Sequence, residues 1–483
     1  MPTEFFATDV TGAIPITPVT QERWSEWRDG LEARYRAWVD ATEFLAKPGS
    51  VCLLAGEGGE VIGVAAGFAG NGGTVIWDWA AVAKALPPGT YQIAPDIDGV
   101  MPDKDQLEQA VLGWGLSAYA FERYRRKKAK KAASMPSSGG RVLGWPEAVD
   151  PGVVLSTLEA IWLVRDLINT PASDMGPAQL ASAVCGVAEQ KGATVSVTEG
   201  DALLDAGYPA IHAVGRASAQ APRLIDMTWS GSAGDEGAPN VTLIGKGVCF
   251  DTGGLDLKPS SGMRLMKKDM GGAALVLGLA AMIMDAGLPV NLRVLIPAVE
   301  NSVSGSAMRP SDVLATRKGL TIEIGNTDAE GRVVLADALA EAITDEPDII
   351  IDCATLTGAA RVALGTEIPA LFCNDDEMAA GILANSALVS DPLWRMPLWQ
   401  GYNSHVDGKV ADVTNAPDSG FGGAITAALF LERFIQPDSG NAPKWAHLDM
   451  MAWNTASRPG RPEGGEAMGL RALFAYLVER YGS

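Results

Sequence analysis

Two stretches of this chain carry residue types suited to hydrolysis. In Asn326-Thr327-Asp328-Ala329-Glu330-Gly331-Arg332, two carboxylates and a guanidinium fall on alternate residues, just after the apolar run Leu320-Thr321-Ile322-Glu323-Ile324. Upstream, Ile244-Gly245-Lys246-Gly247-Val248-Cys249-Phe250-Asp251-Thr252-Gly253-Gly254 leads to Lys258 and Asp269. If these loops converge, the carboxylates of Asp251, Asp269, Asp328 and Glu330 balance two divalent cations, and Lys246, Lys258 and Arg332 add further positive charge. That is the raw material of a two-metal hydrolytic site. Asp328 and Glu330 stand at i and i+2, which in extended chain puts both side chains on one side. Two like charges that close raise each other's pKa unless a cation sits between them. The plainer reading is that Asp328 caps a following helix and Glu330 pairs with Arg332.

The neighbouring residues narrow the chemistry. Lys246 can neutralise the carboxylates as a charge, or coordinate a metal as a neutral amine with a depressed pKa. Lys258 stabilises an oxyanion if it faces the metals, and is otherwise a surface lysine. Gly253 and Gly254 permit a tight loop with positive φ. The phosphate-loop pattern GxxxxGK[ST] does not occur. The three histidines, His212, His405 and His447, are too dispersed for a histidine-rich site. Any metal is therefore held mainly by oxygen ligands, which suits Zn²⁺, Mn²⁺ or Mg²⁺.

What must position these residues is an alternation of strands and helices. Strand-like runs lie at Val241–Gly245, Asn291–Ile296, Leu320–Ile324, Asp348–Cys353, Ala370–Cys373 and Trp445–Met450. Helical patterns lie at Leu155–Asn169, Gly271–Ala286, Val333–Thr344, Gly422–Ile435 and Ala467–Arg480. Such alternation predicts an α/β fold with a mainly parallel central sheet flanked by helices. Ligands of such sheets bind beyond the carboxyl ends of strands. Lys246, Asp328 and Thr355 fall at such ends on three predicted strands.

Residues 1–140 read as a separate small α/β domain and 150–483 as the catalytic domain. In the first, Val51–Leu54 and Val61–Ala65 form a hairpin across Gly56-Glu57-Gly58-Gly59. Gln106–Lys131 reads as a long helix with a basic end, Arg123 to Lys131, where cations complement the helix dipole. Ser134–Gly140 reads as a linker.

The chain has 483 residues, which suits two domains. Its net charge of -20 argues against nucleic acid as a partner, because phosphate binding needs basic surface. The five cysteines are scattered and read as buried thiols of a reducing, cytoplasmic compartment. Met1–Val10 has no apolar core of a secretory signal. Ala273–Met284 is too short to span a membrane, which takes about 20 residues, and reads as a core helix.

Together the two chemical stretches resemble the leucyl aminopeptidase family, di-zinc exopeptidases that remove N-terminal residues. The Asn326–Arg332 stretch is similar to the family's signature, with Val333 in place of the usual leucine. Also matching are Gly245-Lys246-Gly247, Asp251-Thr252-Gly253-Gly254, Lys258-Pro259-Ser260, Met266 and Asp269-Met270-Gly271-Gly272. So do Glu300-Asn301, Ser304-Gly305, Arg309-Pro310 and Ala354-Thr355-Leu356-Thr357-Gly358-Ala359. The resemblance covers roughly residues 150–483.

It implies that Asp251 and Glu330 bridge two zinc or manganese ions, and that Asp328 completes the more exchangeable site. Lys246 and Asp269 complete the tighter one. Lys258 polarises the scissile carbonyl, a metal-bridging water attacks it, and Arg332 holds a bicarbonate-like anion as general base. Met266, Thr355, Leu356, Gly358 and Ala452 would line the pocket for an N-terminal side chain, leucine or another apolar one; Thr355 and Leu356 also read as strand-end packing. The substrate implied is a peptide with a free N-terminus, and the implied assembly is a homohexamer. Two other readings stay open: a phosphoesterase built on the same carboxylates, and a non-catalytic assembly protein.

Overall fold

Long apolar runs that alternate with amphipathic ones cannot all be buried around one small core, and the chain divides into two units. A computed structural model describes residues 2–70, 75–96, 99–125, 140–231, 237–437 and 439–482. The smaller unit comprises residues 1–162 and 456–463, and the larger comprises 163–455 and 464–483.

In the smaller unit the strands run in the order Phe6–Ala7, Arg141–Gly144, Gly89–Ile93, Ile14–Thr20, Val61–Phe68 and Val51–Ala55. All neighbours are parallel except the last pair, the expected hairpin, where Leu53 faces Val64. The helix expected over 106–131 is shorter, Lys104–Ser117. A reciprocal pair of hydrogen bonds starts it: Gln106 N donates to Asp103 Oδ1 and Asp103 N donates to Gln106 Oε1. At its end the Ala118 N–H turns to the Gly115 carbonyl, and Tyr119 is buried edge-on against Trp162. Burying that ring against its own unit outweighs continuing the helix into a run of cations. Arg126–Lys131 and most of the expected linker lie outside the described residues.

In the larger unit, nine strands of the described residues form one sheet. Its centre is parallel: Asn291–Asn301, Asn240–Gly245, Ile349–Ala354 and Lys444–Asp449. Arg223–Ser230 and Thr194–Glu199 extend one edge antiparallel. Ala370–Cys373 joins the other edge antiparallel and carries Trp394–Arg395. Strands covered on both faces read as continuous apolar runs, and every residue of Ile349–Ala354 is buried. The Gly271–Asp285 helix is buried from Gly271 through Met284, so the short apolar stretch is a core helix. Among the described residues no helix is long and apolar enough to cross a membrane.

One expected strand lies elsewhere. Thr321–Glu323 is not in the central sheet but pairs antiparallel with Val313–Ala315 and parallel with Val413–Thr414. The Lys318-Gly319 turn, with Gly319 at φ 85, returns the chain onto its own preceding strand. That local hairpin pairing captures the run.

Close approach of helix to sheet fixes one glycine. A Cβ on Gly272 would stand 2.0 Å from the Cys353 carbonyl oxygen and 2.9 Å from the Lys246 nitrogen. Gly272→Ala is expected to destabilise this unit by about 2–3 kcal/mol, seen as a lower melting temperature. An unchanged melting temperature would show that the helix can lift without cost.

Candidate active site

Lys246 stands between Asn240–Gly245 and Gly247–Asp251, where the chain leaves one parallel strand and enters another. Its backbone is fixed on both sides: Lys246 N donates to Cys353 O and Lys246 O accepts from Ala273 N. Its ammonium lies 2.8 Å from Asp269 Oδ2 and 2.9 Å from Glu330 Oε1, and donates to Thr355 O at 3.2 Å. Burial alone would depress this lysine, but Asp269, Glu330 and Asp251 outweigh it and hold its pKa above the usual lysine value.

Asp251 ends its strand opposite Asn301. Its Oδ1 accepts from Gly253 N and from Asn301 Nδ2, both at 2.8 Å. Gly253 and Gly254 take φ 87 and 65, as the tight loop requires. They return the chain so that the Lys258 ammonium meets Asp251 Oδ2 at 2.7 Å and also Asp328 Oδ1. Lys258 thus sits within the carboxylate cluster and not as a plain surface lysine. Burial opposes its charge, yet Asp251 and the hydrogen bonds raise its pKa.

Asp328 and Glu330 do converge, though not in extended chain. Asp328 lies in a turn whose N–H donates to Asn326 Oδ1, and Glu330 opens the Glu330–Ala342 helix. The cap of that helix is Ala329, with no side-chain bond, and Glu330 pairs with Lys246 and not with Arg332. Asn415, fully buried, pins this turn: its Oδ1 accepts from Gly325 N and its Nδ2 donates to Asn326 O and Ala329 O.

Carboxylate oxygens of Asp251, Asp328 and Glu330 all lie within 4.8 Å of one another. Glu330 Oε2 is buried with no hydrogen-bond partner among the described residues, and Oε1 meets only the Lys246 ammonium. Burial, then the Asp251 charge, push the Glu330 carboxyl up to about 8. Asp269 is held below the usual range despite its burial, chiefly by Lys246 and Lys268. Thr355 Oγ1 donates to Asp269 Oδ1 at 2.7 Å, so Thr355 orients a carboxylate as well as lining the cleft. An oxygen-rich cluster with orphaned acceptors fits divalent cations. Arg332 is buried, makes no ion pair or hydrogen bond through its side chain among the described residues, and is depressed by that burial to about 10. Such a guanidinium fits a small anion.

These residues line one cleft of about 720 Å³, together with Met266, Leu356 and Gly358. Ala452 does not line it. It is fully buried at φ 52, packed where a Cβ on Gly271 would come within 2.5 Å, and Met450 and Met451 face the cleft instead. Sequence reasoning also gave no role to Asn301, Asp449, Lys268 or Arg361. Asp449 receives Leu356 N, Thr357 N and Thr357 Oγ1, which holds the Thr355–Gly358 wall. A carboxylate at the carboxyl end of the Trp445–Met450 run was a signal for it. Lys268 lines the cleft with burial depressing its amine to about 8. Its only signal was its place beside Asp269.

Fold and cleft together define an α/β protein with a carboxylate-rich site for divalent cations. Residues 162–474 match the model of the cytosol aminopeptidase family's catalytic domain, and residues 14–136 match the N-terminal domain of M17 aminopeptidases. A Chlorobium limicola protein named "Probable cytosol aminopeptidase" is 34% identical, covering 96% of each chain. The Coxiella burnetii cytosol aminopeptidase structure matches with TM-score 0.89 and 48% identity over 97% of each chain. The bottromycin maturation enzyme BotP, solved with Mn, matches with TM-score 0.84 and 33% identity, over 97% of this chain and all of the other. The chain belongs to the cytosol aminopeptidase family, which bears out the resemblance read from its motifs. It is a metal-dependent aminopeptidase, a metallo-exopeptidase among the hydrolases.

Proposed function

We propose that this chain removes the N-terminal residue, leucine or another apolar one, from peptides with a free N-terminus. The convergence of Asp251, Asp328 and Glu330 beside Lys246 and Lys258 carries this reading. Asp251 and Glu330 would each serve two cations, Asp328 the more open position, and Lys246 with Asp269 the more buried one. Zinc and manganese both suit these ligands, and the Mn-bound relative supports manganese. When bound, the two cations supply Lewis acidity and lower the pKa of a water held between them. Arg332 would hold a bicarbonate-like anion, which would supply the base that the histidine-free cleft lacks.

The chain's own groups do the rest. Lys258, cationic at the rim of the cluster, donates to the scissile carbonyl oxygen as negative charge develops there. Thr355 fixes Asp269, and Asn301 with Gly253 N fixes Asp251, so the carboxylates keep their places as charge shifts. Met266, Leu356, Gly358 and Thr355 form the wall for the N-terminal side chain.

Residues 150–483 carry the catalysis, residues 1–140 aid assembly into a homohexamer, and the protein works in the cytoplasm. Sedimentation of the purified protein tests the hexamer, and a monomer would remove it.

The deciding experiment sets a leucyl dipeptide beside its N-acetylated twin with Mn²⁺- or Zn²⁺-loaded protein. Cleavage of the free-amine peptide alone is expected. Equal cleavage of both, or of neither with metal bound, would overturn the reading.

A further inference from the structure

The proposed chemistry uses Lys246, Lys258 and Arg332, and leaves two cations of the same cleft without work. Arg361 lies on the Gly358–Leu364 helix. Its Nη2 is 3.5 Å from where a Cβ on Gly358 would stand, and its Nη1 is 3.7 Å from Met451 Sδ. The guanidinium therefore sits against the wall assigned to the N-terminal side chain. Lys268 comes from the Met266–Met270 turn that also supplies Met266; it is only 4% exposed and lines the same cleft.

Neither cation is ion-paired among the described residues. The nearby carboxylates are engaged elsewhere: Asp269 with Lys246 and Thr355, and Asp449 with Leu356 N, Thr357 N and Thr357 Oγ1. A buried ammonium that feels the Asp269 charge but forms no salt bridge with it is still costly, and that cost is recovered when an anion enters. The chain's net charge is -20, so two unpaired cations in one cleft are not a by-product of basic composition. The methionines beside them, Met266 and Met451, are adaptable apolar surface.

We propose that this subsite also accepts acidic N-terminal residues: the stem of a glutamate or aspartate lies against Met266 and Met451, and its carboxylate meets Lys268 and Arg361. The proposal rests on the aminopeptidase reading above and widens its apolar preference. A methylene stem suits the methionine surface that also takes leucine. A charge-assisted contact at the far end supplies what leucine cannot use. Acidic side chains then enter a cleft that basic ones find already occupied by positive charge.

The test compares kcat/KM for glutamyl- and leucyl-p-nitroanilide, which lack a C-terminal carboxylate, using Mn²⁺-loaded wild type, Lys268→Met and Arg361→Met. Wild type is expected to turn over the glutamyl substrate within about tenfold of the leucyl one, and each variant to lower the glutamyl-to-leucyl ratio by about tenfold or more. Arg361 is exposed, so its variant keeps the test valid even where Lys268→Met fails to fold. Wild type that cleaves the leucyl but not the glutamyl substrate would overturn the proposal while sparing the aminopeptidase reading. So would an Arg361→Met ratio equal to wild type. Cleavage of neither, with metal bound, would take down both. A ratio unmoved with anilides but lowered with free dipeptides would assign the cations to the peptide's C-terminus and also overturn it.

Discussion

Asp251→Ala is expected to abolish turnover and metal loading together, with activity lower by roughly three orders of magnitude or more. Asp251 is 2% exposed and its Oδ1 is held from two sides by Gly253 N and Asn301 Nδ2, so its other oxygen, which meets the Lys258 ammonium, is kept in the carboxylate cluster at a fixed place. Nothing else on the Gly247–Asp251 strand can substitute, because it carries no other carboxylate. The metal-free protein should not be weakened in step. Burial and the Asp269 charge both raise the Asp251 pKa, so removing it relieves repulsion among buried carboxylates. Metal content by mass spectrometry, turnover and melting temperature read the three effects separately. A variant that keeps stoichiometric metal and loses only activity would move Asp251 from ligand to another role.

Lys258→Ala is expected to do the reverse: turnover falls by about 10²–10³-fold while metal stays bound. In this structure the Lys258 ammonium neutralises Asp251 and Asp328, so its loss leaves those carboxylates freer to hold cations. Metal affinity should therefore be kept or increased. The deficit belongs in kcat more than in KM if the ammonium acts on charge that appears only in the transition state. Full turnover in this variant would show that Lys258 serves only to balance charge.

How much of this was legible in sequence depended on whether the signal was local. The parallel strands announced themselves because burial on both faces leaves continuous apolar runs such as Ile349-Ile350-Ile351. The loop glycines announced the turn after Asp251 because few other residues take φ near 87. What failed depended on contacts between distant segments. Nothing in Leu320–Ile324 says that its partners are Val313–Ala315 and Val413–Thr414 and not the central sheet. Nothing in Gln106–Lys131 marks Ser117 as the last helical residue, since the deciding contact is Tyr119 with Trp162. Ala452 and Met451 differ by one position, and only the backbone turn at φ 52 decides which side chain reaches the cleft. Lys268 and Arg361 were invisible as cleft residues because a lone cation in sequence does not reveal whether a carboxylate pairs with it.

The three-stranded side sheet has a consequence for how the site can change. Lys246, Asp251 and Asp269 are anchored to the central sheet and its buried helix. Asp328 reaches them from a different platform, whose seating is set by Asn415 far along the chain. Editing that peripheral sheet would therefore move the proposed ligand Asp328, and with it the start of the Glu330 helix that Asn415 also holds through Ala329 O, without disturbing the scaffold of Lys246, Asp251 and Asp269. Divergence within such a scaffold has a dedicated tuning screw, located where no comparison of catalytic motifs would look for it.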